Sequence, residues 1–96
     1  MLCLDSYRAS LAIAERLAKA DPGHAGRQRD LAVSHGLVAT VLAGTGQTAE
    51  ALEGLRKGRD IIVRLRALSP DNATLPRDLA WLDGQIVRLG GRPDGE

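Results

Sequence analysis

Apolar residues recur along this chain at the spacing of helices rather than strands. Over residues 75–89, Leu75, Leu79, Leu82, Ile86 and Leu89 form one helical stripe. Over 49–68, Ala51, Leu55, Gly58, Ile62 and Leu65 do the same, flanked by Leu52, Ile61 and Leu68. Residues 27–43 carry Leu31, Leu37, Val38, Val41 and Leu42, a wider apolar face suited to a helix buried on two sides. The first stretch, 2–20, presents Cys3, Leu4, Tyr7, Leu11, Ala14, Leu17 and Ala18. The pattern predicts helices over 2–20, 27–43, 49–68 and 75–89, and no strand.

Turn chemistry divides the chain at the same places. Asp21-Pro22-Gly23 and Ser69-Pro70-Asp71-Asn72 are breakers after the first and third helices. Gly44-Thr45-Gly46 closes the second helix, and Thr48 is expected to cap the third, with Glu50 in its first turn. Pro76 is tolerated only near a helix start, where a missing N–H costs nothing, so the fourth cap is expected at Thr74.

Shifted by 48 residues, the chain matches itself. Residues 7–41 laid over 55–89 share eleven identities in thirty-five positions without a gap. Chance would give about two or three. They include Ile13/Ile61, Arg16/Arg64, Leu17/Leu65, Pro22/Pro70, the run Arg29-Asp30-Leu31-Ala32 over Arg77-Asp78-Leu79-Ala80, and Gly36/Gly84. Each unit reads as two helices.

Paired helices in tandem, with a Gly-x-x-x-Glu-Ala turn (Gly46, Glu50, Ala51) and a proline after the second helix (Pro70, and Pro22 one unit earlier), resemble a tetratricopeptide repeat. The period is 48 residues rather than the family's usual ~34, which makes this a long-period variant with longer helices, similar to arrays in multidomain bacterial proteins. The resemblance implies an all-α fold: four antiparallel helices in two tandem units of an α-α superhelix, spanning 1–91, with 92–96 a polar tail. A closed up-down bundle is the alternative packing. It also implies that Ala51 occupies the small position needed for close helix contact. The repeat counterpart of Ala51 is Cys3.

In this register the chain starts inside a second-type helix and ends on a first-type one. The outer helices then keep apolar residues uncovered, so self-association through an end, or a place in a larger array, is expected.

Composition narrows the function classes. The chain is 44% apolar, 26% charged and 2% aromatic, with a net charge of +1. The apolar fraction exceeds that of a disordered tail. The longest nearly unbroken apolar run, residues 37–44, is far short of the roughly 20 residues that span a bilayer. The N-terminus lacks the pattern of a secretory signal, and the single cysteine suits a reducing compartment, so a cytoplasmic location is expected.

Candidate chemistry is sparse. Gly44-Thr45-Gly46-Gln47-Thr48-Ala49 has the spacing of a dinucleotide-binding fingerprint, but that motif needs a strand before it, and residues 37–42 read as helix. Ser34 and His35 are adjacent on a helix and diverge by about 100°, so they form no catalytic pair. His24 falls in a breaker, and both histidines are expected at the surface or at a helix end. No catalytic residue, metal ligand or cofactor is assigned. Arg56, Lys57, Arg59, Arg64 and Arg66 give the third helix a basic outer surface, but acidic residues interrupt it and no aromatics interleave for base stacking. The recurring Asp30 and Asp78 are expected in the first turns of their helices, paired with Arg16 and Arg64 across the preceding turn.

Trp81 stands where the first unit has Val33, off the apolar stripe of its helix. In the resembled family the first-type helices line the ligand-facing surface, which implies a partner-binding surface of Val33, Leu37, Thr40, Trp81, Gln85 and Arg88, with Gly36 and Gly84 between them. Packing of Trp81 against the third helix or a dimer mate is the alternative. The expectation is a non-enzymatic protein-interaction module that binds a protein segment or itself; the alternative is a basic helical nucleic-acid-binding domain.

Overall fold

The structure, a computed structural model, describes residues 4–93. It consists of α1 (Leu4–Ala20), α2 (Ala25–Gly44), α3 (Thr48–Leu68) and α4 (Thr74–Arg88). No strand occurs among the described residues.

The helix ends follow from local chemistry. His24 caps α2: its backbone is extended and its Nδ1 accepts from the Arg27 N–H at 3.2 Å. The helix therefore starts two residues earlier than the apolar pattern indicates. At the other end Gly46 takes φ +83°, and the Gln47 and Gly46 N–H groups donate to the carbonyls of Leu42 and Ala43 at 2.9 and 3.2 Å. This is a Schellman motif, and α4 repeats it with Gly90 at φ +86° and bonds from Gly91 to Ile86 and from Gly90 to Val87. Thr48 and Thr74 are not caps, contrary to expectation. Each is the first helical residue, after Gln47 and Ala73, which make no side-chain cap. At α4 the capping acceptor is Asn72, whose Oδ1 receives the Thr74 N–H at 3.0 Å.

The helices pack as a row. α1 lies against α2, α2 against α3, and α3 against α4, with a small contact between α2 and α4. Among the described residues α1 and α4 do not touch, so the four helices do not close into a bundle. The inner helix α3 buries Ala51, Leu55, Gly58, Ile61, Ile62 and Leu65. These comprise its whole expected stripe and one flanking residue. Leu68, expected beside them, is 79% exposed. Leu17 and Leu37, also expected on apolar faces, are likewise exposed.

With so few aromatics, the core closes by close backbone approach. Ala32 and Ala39 of α2 and Ala51 of α3 are almost fully buried. A Cβ on Gly58 would stand 2.9 Å from the Ala32 carbonyl oxygen. Leu82 of α4 fills the space over this crossing: its Cδ2 would lie 3.2 Å from a Cβ on Gly36 and 3.5 Å from one on Gly58. A leucine between two glycines thus ties α4 to both α2 and α3.

Candidate interaction surface

Trp81 joins α4 to α2. Its ring lies over Gly36, where an added Cβ would collide with Cζ3. The ring packs on α2 at Gly36, which leaves the flat space an indole needs. It is still 37% exposed, and Leu37, next to Gly36, is equally open. Thr40 is exposed and its hydroxyl donates to the Gly36 carbonyl at 3.0 Å. Val33 and Gln85 are half-buried, and Arg88 is exposed. Of the six residues of the expected surface, Leu37, Thr40, Trp81 and Arg88 are thus exposed and Val33 and Gln85 half-buried.

The recurring Arg-Asp pair has a role that its sequence position hides. Arg29 grips Asp78 with two bonds, Nε to Oδ2 at 2.6 Å and Nη2 to Oδ1 at 3.1 Å. The hydrogen bond to Asp78 raises the Arg29 pKa further, against the opposing effect of burial. The expected pairing with Arg64 across the turn is therefore wrong: Asp78 is held by the other unit. Neither Asp30 nor Asp78 lies in a first helical turn. The link bridges the seam between units, and Arg29 is partly exposed. A double-mutant cycle on Arg29→Ala and Asp78→Ala, read by urea unfolding, is expected to give a coupling of about 1 kcal/mol, discounted for that exposure and reduced by salt.

The basic run of α3 does not act as one face. Arg59 Nε donates to Asp83 Oδ1 at 2.6 Å, and Lys57 pairs with Glu53 at 3.4 Å. Arg56 is half-buried and reaches toward Gly91. Arg66 is exposed, and Arg64 lies beside Leu65 and Leu68 in a cleft of about 230 Å³ with Pro22 and Gln28.

His35 is not at the surface, as expected of it, but half-buried in a cleft of about 240 Å³ with Leu11, Glu15, Glu50, Glu53 and Lys57. Its acidic neighbours come from α1 and α3, which one-helix spacing cannot show. Burial lowers its pKa; Glu15 opposes the shift and Lys57 adds to it. Because the folded pKa lies below the unfolded value of about 6.5, the unfolded chain binds the proton more readily. Stability is accordingly expected to be full above pH ~6.5 and to fall as the pH drops through and below it. Thermal melts at successive pH values should show a slope in that window that His35→Gln reduces; an unchanged slope would assign it to other groups.

Among the described residues no group of three or more His, Cys, Asp or Glu side chains could hold a metal ion, and no helix is long and apolar enough to cross a membrane. Residues 37–42 are helical and the following glycines form the Schellman turn, so the glycine string lacks the strand that a dinucleotide fingerprint needs. Cys3 lies outside the described residues. No family model, no curated protein and no solved structure matches this chain.

Proposed function

We propose that this chain is a non-enzymatic protein–protein interaction module built from two long-period repeats of the tetratricopeptide kind, its helices antiparallel and its units stacked as the start of a superhelix. The 48-residue self-match supports this reading, as does packing in chain order without closure. The observation that carries the binding role is the open indole of Trp81 over Gly36 beside exposed Leu37. A large aromatic ring, held in place yet partly uncovered, is the kind of anchor on which protein interfaces concentrate their energy. Val33, Thr40, Gln85 and Arg88 extend the strip along α2 and α4. Its chemistry suits an apolar peptide segment or helix face, in a reducing cytoplasm.

Leu37→Glu is the cleanest test, because Leu37 is exposed and its replacement leaves the core intact. Peptides selected from a displayed library should bind in a salt-tolerant manner and lose at least about tenfold in affinity with Leu37→Glu. Selected ligands indifferent to Leu37→Glu would remove the strip from the binding role.

A further inference from the structure

The seam between the two units has a lock on each side, and both locks are repeated at the outer ends of the molecule, where they stand open. On the α3–α4 side of the seam, Gly58, Ile61, Ile62, Leu65 and Leu75 are buried and Asp78 receives Arg29. Moved back by 48 residues, these positions become Ser10, Ile13, Ala14, Leu17, Arg27 and Asp30. Those residues line an open cleft of about 190 Å³ between α1 and α2. The difference in cover is large for identical side chains. Ile61 and Leu65 are 7% and 6% exposed, whereas Ile13 and Leu17 are 51% and 46% exposed.

On the α2 side of the seam the contributions are Arg29, the Ala32 carbonyl against Gly58, and Gly36 beneath Trp81 and Leu82. Moved forward by 48 residues, these are Arg77, Ala80 and Gly84, all exposed, with nothing within 4 Å of a Cβ on Gly84. Val87, the counterpart of the fully covered Ala39, is 57% exposed. Neither Asp30 nor Arg77 makes an ion pair or side-chain hydrogen bond among the described residues, although each has a counterpart that does.

Resting on the reading of the chain as a repeat interaction module, we infer that its partner is a second copy of itself, docked head to tail in the register of the internal repeat. The α4 face of one copy, Arg77, Ala80 and Gly84, takes the place that α2 holds in the internal seam. The α1–α2 cleft of the next copy receives it, with Arg77 gripping Asp30 of that copy as Arg29 grips Asp78. Opposite charges meet at the ends, and apolar side chains whose counterparts are buried become covered. The match is looser than the internal one. Ser10 brings a Cβ where Gly58 has none, and Val33 replaces the larger Trp81 over the glycine, so the copies exchange while the units within a chain stay docked.

Charge reversal tests this directly, since both residues are exposed and neither supports the core. The average mass of the wild-type chain, followed by sedimentation across the micromolar range, should rise with concentration. Asp30→Arg sets two arginines against each other in every self-contact, and Arg77→Asp sets two aspartates against each other. Each variant alone should lose about fivefold or more in association constant. An equimolar mixture restores opposite charges at every alternating contact, and its association should return toward the wild-type value, less so in high salt. A wild-type chain that stays monomeric, or a mixture no better associated than its components, would overturn the head-to-tail contact. The peptide titration reads Leu37, which the head-to-tail contact does not use, so failure of the charge-reversal test and failure of the module reading are distinguishable.

Discussion

Leu82→Ala is expected to lower the unfolding free energy by about 3 kcal/mol, a large share of the ~5–10 kcal/mol typical of a domain this size. Leu82 is 1% exposed and is the side chain that meets both Gly36 and Gly58. The walls of the space it would vacate are helix backbone on two sides, which cannot relax into it as flexible side chains would. Urea unfolding should show a lower midpoint with an unchanged slope. A loss below about 1 kcal/mol would mean that the helices collapse onto each other when Leu82 is removed, and that its knob-like role is overstated.

Gly58→Val is expected to cost about as much, roughly 3 kcal/mol, for the opposite reason. There the space is absent: the Ala32 carbonyl oxygen lies 2.9 Å from the position of the new Cβ, and that oxygen belongs to a helix. α2 and α3 must move apart, which loosens the burial of Ala51, Leu55 and Ile62 together. Two neighbouring glycines calibrate the effect. At Gly54 the nearest atom to an added Cβ is the His35 carbonyl oxygen at 3.5 Å, an ordinary contact, so Gly54→Ala should stabilise by up to about 1 kcal/mol through helix propensity. At Gly36 the obstacle is the far edge of the Trp81 ring, which can swing outward, so Gly36→Ala should cost less than Gly58→Val. If Gly54→Ala and Gly58→Val had effects of the same sign, the close approach of α2 and α3 would not govern stability.

Sequence pattern alone located the helices and the inner face of α3, because every position of that stripe faces a neighbour. It put Leu37 both on the apolar face of α2 and on the partner-binding surface, because the apolar residues of α2 are spread over too many angles for periodicity to choose a single face. It could not separate Ile13 from Ile61 or Leu17 from Leu65. These are the same residues at the same repeat positions, and their burial differs only because α3 has a helix on each side and α1 does not. The Arg29–Asp78 link escaped for a related reason. Its partners are 49 residues apart, while a local reading favours the arginine across the nearest turn. The pairing is nevertheless written in the sequence: an ion pair that must recur between units requires an arginine and an aspartate at the same place in each unit. His35 shows the limit most plainly, since its acidic neighbours arrive from two other helices.

Trp81 has a practical consequence beyond binding. It is the single tryptophan of the chain, and its ring is seated on Gly36 of another helix. Its emission is therefore an optical gauge of α4 docking on α2, while far-ultraviolet circular dichroism counts helical turns wherever they are. If the two signals change together during unfolding, the units melt as one cooperative body. If the emission reddens first, α4 peels from the end of the row while the other helices persist, as nearest-neighbour coupling in a linear array allows. One native chromophore thus distinguishes a terminal helix that frays from one that is locked.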